Sequence, residues 1–260
     1  MIKAVFFDID GTLVSFNTHV IPPSTLEALD LLRKKGIMLF IATGRHRAYI
    51  NNLGDQEFDG YITLNGGYCV AGESELIYKH SIPSTDIDAL IEYQKAYPSN
   101  VFPYILVKEK ELFMNYKTSR VETVLSQLNF PEPPVVPYSE IPPGDVYQII
   151  AFFDADQEKH VMPFLPGSES TRWSPLFTDV VPKGSSKQVG IDKIIEHYGF
   201  TLNETMAFGD GGNDIQMLRH AGTGIAMGNA EDAVKQAADY VTASVDDDGI
   251  YKALKYFKII

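Results

Sequence analysis

Residues 5–14 read VFFDIDGTLV: three apolar side chains, then Asp8 and Asp10 separated by Ile9, then Gly11 and Thr12. A short apolar run that ends abruptly in charge reads as a strand buried on both faces, as the middle of a parallel sheet requires. Two other runs have the same form, 37–42 before Thr43-Gly44-Arg45 and 206–208 before Gly209-Asp210. Helical patterns accompany them. Residues 24–35 carry a capping-box pair, Ser24 and Glu27, with Leu26, Leu29 and Leu32 on one side and Gly36 as a stop. Residues 186–198 repeat the scheme with Val189, Ile194, Ile195 and Gly199. Buried strands alternating with helices predict an α/β fold built on a doubly wound parallel sheet, and such sheets bind ligands beyond the carboxyl ends of their strands. The acidic residues fall there.

The middle of the chain has another texture. NGGYCVAGESELIYKHSIP (65–83) reads as a hairpin, followed by a helix at 86–97, aromatic strands at 101–107 and 112–116, a helix at 119–128 and the proline-punctuated loop 130–144. This predicts a smaller α+β domain, 83–182, inserted into a core formed by 1–82 and 183–260.

With 260 residues, 45% hydrophobic and 22% charged, the composition is that of a soluble globular protein. No segment has the roughly 20 apolar residues that span a bilayer, and Met1 leads into a strand-like run rather than a signal peptide, so a cytoplasmic location is expected. A single cysteine, Cys69, excludes an intrachain disulfide framework. The net charge of −12 repels nucleic acid and anionic membranes on average. An anionic ligand therefore needs a local site. No heptad or unused apolar stripe marks a partner, which leaves a monomer as the expectation.

One Asp-x-Asp pair says little, since 34 acidic residues create such pairs by chance and a solvated turn explains them. The stretch FGDGGND (208–214) adds Asp210 at a second strand end and Asn213 and Asp214 at a helix start. Carboxylates converging on one sheet edge repel strongly unless a cation lies among them. Oxygen ligands without a nearby histidine or cysteine suit Mg²⁺. Cations also stand where a helix dipole disfavours them: TGRHRAYI (43–50) and GSSKQVGI (184–191) place Arg45, Arg47 and Lys187 near predicted helix starts. Arg47 is expected to bend into solvent. Thr43, Gly44 and Lys187 suit an anion site of hydroxyl, backbone amide and ammonium. A metal edge beside a phosphate site implies phosphoryl transfer. GTGIAMG (222–228) lacks dinucleotide-fingerprint spacing, and neither a P-loop nor a nucleophile elbow occurs. His46 and His80 read as surface or packing residues.

Taken in order, Asp8-Ile9-Asp10-Gly11-Thr12-Leu13-Val14, Ala42-Thr43-Gly44-Arg45, Lys187 and Gly209-Asp210-Gly211-Gly212-Asn213-Asp214 resemble the four motifs of the haloacid dehalogenase (HAD) superfamily. The insertion between the second and third motifs, the Asn65-Gly66-Gly67 turn and the tail 224–250 resemble its Cof-type sugar-phosphate phosphatases with a type IIB cap. The resemblance implies a Rossmann-like core, Asp8 as nucleophile forming an aspartyl-phosphate, and Asp10 as acid and base. It implies Mg²⁺ on the Asp8 carboxylate, the Asp10 carbonyl and the Asp210 carboxylate, with Asp214 a further candidate. Phosphate oxygens would fall to the Ile9 and Gly44 amides, Thr43, Lys187 and Asn213, while Arg45 would reach the substrate, the cap or neither. The cap would close over a small phosphorylated substrate. Asp10 favours a phosphatase over a dehalogenase proper, which lacks that second aspartate. A sugar phosphomutase and a non-catalytic metabolite-binding protein are the alternatives.

Overall fold

All four residues of the first strand, β1 (Ala4–Phe7), are fully buried, because successive side chains point to opposite faces and both faces are covered. Val5 and Phe7 join one apolar cluster, Ala4 and Phe6 another. The computed structural model describes residues 1–172 and 174–260. These divide into two compact units, one formed by Met1–Lys79 with Ser186–Ile260, the other by His80–Ser185.

The first unit continues with α1 (Pro23–Lys34), β2 (Met38–Ala42), β3 (Gly60–Thr63), β4 (Tyr68–Ala71) and β5 (Glu75–Lys79). The second holds α2 (Ser84–Ala96), β6 (Tyr104–Lys108), β7 (Leu112–Met114), α3 (Ser119–Gln127), β8 (Val146–Ala151), α4 (Ala155–Val161), β9 (Ser168–Thr171) and β10 (Thr178–Pro182). The first then resumes with α5 (Lys187–Tyr198), β11 (Thr205–Gly209), α6 (Ile215–His220), β12 (Gly224–Ala226), α7 (Asp232–Lys235), β13 (Tyr240–Val241) and α8 (Gly249–Tyr256).

The sheet of the first unit runs β13-β12-β11-β1-β2-β3-β4-β5, parallel through β3 and antiparallel in its last two pairs. Leu29 and Leu32 of α1 and Ile250 and Leu254 of α8 cover one face, while Ile191 and Ile194 of α5, Met217 and Leu218 of α6 and Val234 of α7 cover the other. Helices on both faces make it doubly wound. Ring stacking locks the centre in register: Phe6 lies 5.0 Å from Phe40 and Phe7 5.3 Å from Phe208. From β1 the chain moves to β2 on one side, and β11 fills the other. The chain direction across the sheet reverses between β1 and β11, which is where an open α/β sheet forms its crevice.

The helix ends follow local chemistry. Ser186 caps α5 by accepting from the Val189 amide at 3.3 Å, and Gly199 closes it in the left-handed region at φ 69°. The Ser24 capping box does not form: α1 starts at Pro23, Pro22 takes the cap position, and the Ser24 hydroxyl is buried without a partner. Proline at the first helical position presets φ, so the helix starts two residues earlier than the box would place it.

The second unit is an antiparallel sheet, β7-β6-β8-β10-β9, with Ile87, Leu90 and Tyr93 of α2 and Val161 of α4 packed on Leu106, Ile149 and Val180. No helix among the described residues is long and apolar enough to cross a membrane.

Candidate active site

Because β1 pairs with β11, with Phe7 opposite Phe208, the segments after the two strands emerge side by side. Asp8 leaves the first and Asp210 the second. Lys187, the first residue of α5, sends its fully buried ammonium between two carboxylates, 2.6 Å from Asp8 Oδ1 and 2.6 Å from Asp214 Oδ1. The other oxygen of Asp214 accepts from the amides of Asp210 at 3.0 Å and Gly211 at 2.9 Å. Asp214 thus ties the loop bearing Asp210 to Lys187.

Asp210 receives two neutral donors, Thr12 Oγ1 at 2.8 Å and Asn229 Nδ2 at 3.2 Å, and no ion pair among the described residues. Asn229 also donates to the Gly11 carbonyl at 2.9 Å and accepts from the Val245 amide at 3.0 Å. Gly11 has φ 84°, and a Cβ there would lie 2.2 Å from Asp210 Oδ2, so only glycine lets the backbone lie against this carboxylate.

The charges do not balance. Asp8, Asp210 and Asp214 each offer an oxygen within 4.8 Å of the others, and one ammonium is shared between Asp8 and Asp214. Burial, and secondarily the neighbouring Asp214 and Asp10, raises the Asp8 carboxyl to about 7 even though Lys187 pulls it down. Burial also raises Asp210 well above the usual carboxylate range, with Asp8 and Asp214 adding to the shift. Lys187 is held above its ordinary value: burial opposes its charge, but Asp214 and Asp8 outweigh that cost. An unneutralised group of hard oxygen donors fits a divalent cation.

Asp10 faces elsewhere. Arg45 grips its carboxylate with two bonds of 2.6 Å, from Nε to Oδ2 and from Nη2 to Oδ1, and Nη1 donates to the Tyr49 carbonyl at 2.8 Å. The helix expected at Arg45 does not form. A single 3₁₀ turn, Arg47–Tyr49, stands there, with the Ala48 amide donating to the side chain of His46. Nor does Arg47 bend freely into solvent: its guanidinium stacks 3.6 Å over the Tyr61 ring and pairs with Glu73 at 3.0 Å. Thr43 is buried beyond β2, its hydroxyl accepting from the Arg45 amide at 3.1 Å. Gly44 follows it at the same sheet edge. The side chain of Ile9 is fully buried, so only its main chain is available to a ligand. Asn213 Nδ2 donates to Asn65 Oδ1 at 2.9 Å.

Thus Asp8, Lys187, Asp210 and Asp214 form one bonded group, and Asp10 with Arg45 forms a pair beside it. Sequence reasoning missed the roles of Thr12, Asn229 and Asn65. Asn229 lies just beyond the end of β12, so the strand-end logic that selected Asp8 and Asp210 contained a signal for it.

A family model for haloacid dehalogenase-like hydrolases matches residues 5–254. The chain belongs to the haloacid dehalogenase superfamily. Within it the Cof-type, subclass IIB group accounts for the order of motifs and for the structural neighbours. A putative phosphatase of Bacillus subtilis (strain 168), YkrA, is 36% identical over 97% of this chain and 96% of its own. The HAD subclass IIB sugar phosphatase BT4131 superposes with a TM-score of 0.93 at 49% identity, covering 99% of this chain and all of the other. BT1666 from Bacteroides thetaiotaomicron, described among phosphatases of the superfamily, gives a TM-score of 0.90 at 40% identity over 100% and 96% of the two chains. This HAD protein is a phosphatase, a phosphoric monoester hydrolase.

Proposed function

We propose that the enzyme is a Mg²⁺-dependent phosphatase of small phosphate monoesters, hexose and related sugar phosphates foremost, working through an aspartyl-phosphate on Asp8. The observation that carries this reading is the buried convergence of Asp8, Lys187, Asp214 and Asp210 at the junction of β1 and β11. The 49% identity to a sugar phosphatase supports the substrate class.

Mg²⁺ would be held by the carboxylates of Asp8 and Asp210 and the carbonyl of Asp10, with Asp214 orienting that set, and it would offset the repulsion between an anionic nucleophile and an anionic phosphate. An oxygen of Asp8, fixed at a strand end, attacks phosphorus in line as the bond to the sugar oxygen breaks. Asp10 gives that oxygen its proton. In the second half-reaction Asp10 takes a proton from water, whose oxygen attacks the same phosphorus, releasing phosphate and restoring Asp8. Lys187, Thr43, Asn213 and the amides of Ile9 and Gly44 bear on the phosphoryl oxygens as charge builds there. Arg45 now occupies both oxygens of Asp10, so proton delivery requires one of those N–H groups to be exchanged, and a substrate oxygen is the proposed partner. Selection of the alcohol is assigned to the inserted segment, read as the cap domain.

The test is phosphate release from a panel of sugar phosphates and p-nitrophenyl phosphate. Turnover with Mg²⁺ that disappears in Asp8→Ala is expected. Full turnover by that variant refutes the nucleophile, and conversion of glucose 1-phosphate to the 6-phosphate without net release makes the protein a mutase.

A further inference from the structure

Three consecutive residues of the turn Leu64–Gly66 adopt left-handed backbone, at φ 52°, 52° and 89°. For leucine that conformation is an outlier, which persists only where the surroundings enforce it. Here the surroundings are the proposed phosphate pocket itself. The Leu64 amide donates to the Arg45 carbonyl at 3.3 Å, and the Asn65 amide donates to the Thr43 carbonyl at 3.1 Å. The side chain of Asn65, 2% exposed, accepts from Asn213 Nδ2. A Cβ on Gly66 would lie 2.0 Å from the carbonyl oxygen of Ser186, the residue that caps α5 directly before Lys187. One turn is therefore braced against the segment of Thr43, the loop of Asn213 and the start of the helix bearing Lys187.

We propose that this turn is a positioning device for the phosphate pocket, in which Asn65 sets the amide of Asn213 toward the phosphoryl oxygens. With Nδ2 committed by one hydrogen to Asn65, the rotamer of Asn213 is fixed and its second N–H has a defined direction. Without that acceptor the side chain rotates freely, and each phosphate bound must then stop the rotation. The inference rests on the phosphatase reading above.

The test uses Asn65→Gly, which keeps the left-handed backbone permitted and removes the side chain that accepts from Asn213. Inorganic phosphate serves as competitive inhibitor with p-nitrophenyl phosphate as substrate. Asn65→Gly is expected to raise the phosphate inhibition constant and KM together by roughly 3- to 10-fold, the scale of one hydrogen bond, with a smaller change in kcat. Added to Asn213→Ala, the same substitution is expected to change either constant by less than about twofold, because the two residues act as one unit. Unchanged phosphate inhibition in Asn65→Gly overturns the proposal, as does an effect that adds in full to that of Asn213→Ala. If Asn65→Gly does not fold, Asn65→Ser, whose side chain is too short to reach Asn213, takes its place in the same cycle. A parent protein that neither hydrolyses phosphate esters nor is inhibited by phosphate refutes the phosphatase reading and this inference with it, whereas an active parent with an indifferent Asn65 refutes the inference alone.

Discussion

Both units bury acids, in opposite ways. In the second unit Asp86 is 2% exposed, with one oxygen accepting from the Gly167 amide at 2.9 Å and from the Ser168 hydroxyl at 2.7 Å. It lies in the first turn of α2, where the helix dipole favours negative charge. In the first unit three carboxylates converge, and the one ammonium there pairs with two of them, Asp8 and Asp214. The contrast separates a structural acid from those proposed to be functional. The first has donors aimed at it and joins two segments. The others are held where their charge exceeds what the protein supplies, so the surplus is available to a cation and to chemistry.

The most damaging way to probe the contrast is at Asp8. Asp8→Ala is expected to lower kcat by at least roughly 10³-fold while the fold survives, as read by phosphate release and circular dichroism. Removing the shared ammonium comes next. Lys187→Met strands two buried carboxylates and should cost about 3–5 kcal/mol in urea unfolding of the metal-free protein. Asp86→Asn, its counterpart in the second unit, should cost about 1–3 kcal/mol and leave kcat/KM within about twofold. Gly11→Ala forces a methyl against Asp210 and a side chain into φ 84°, and displacement of that carboxylate should lower kcat/KM on the order of 10²-fold.

A gentler probe is pH. Asp8 is raised from 3.8 to about 7 in the folded chain, so between those values the native state binds more protons than the unfolded one. Stability of the metal-free protein therefore falls as pH rises through that window. A cation that replaces those protons recovers the loss, and the rise in Tm on adding Mg²⁺ should be larger at pH 8 than at pH 5. The smallest effect is expected at Cys69 of β4, where burial in the apolar cluster beneath α5 pushes the thiol up to about 12, and which should stay unreactive toward a thiol reagent until the protein unfolds.

Much of this was legible in the sequence because parallel strands buried on both faces leave apolar runs, and because polar residues at their ends have few structural reasons to be there. Asp8, Asp210 and Lys187 needed only that logic and the order of the motifs. The interactions of single side chains were not legible. Nothing in TGRHRAYI says that Arg45 turns back to Asp10, since a dipeptide after a strand can begin a helix or a 3₁₀ turn, and the nearby carboxylate decides. Ser24 and Glu27 have capping-box spacing, yet two prolines ahead of them start the helix earlier. Asn65 was visible only as part of a glycine-rich turn. Its bond to Asn213 spans 148 positions and follows from the way the loops are assembled.

The sheet order also has a consequence for biosynthesis. β1 gains β2 as a neighbour within about 40 residues, but its other partner, β11, begins at Thr205, after the whole second unit. On the ribosome the central strand therefore waits with one edge unpaired until the chain from Thr205 onward emerges. The second unit has its full set of strands by then. The nascent chain should be most exposed to misassociation in the interval between the completion of that unit and the arrival of residue 205.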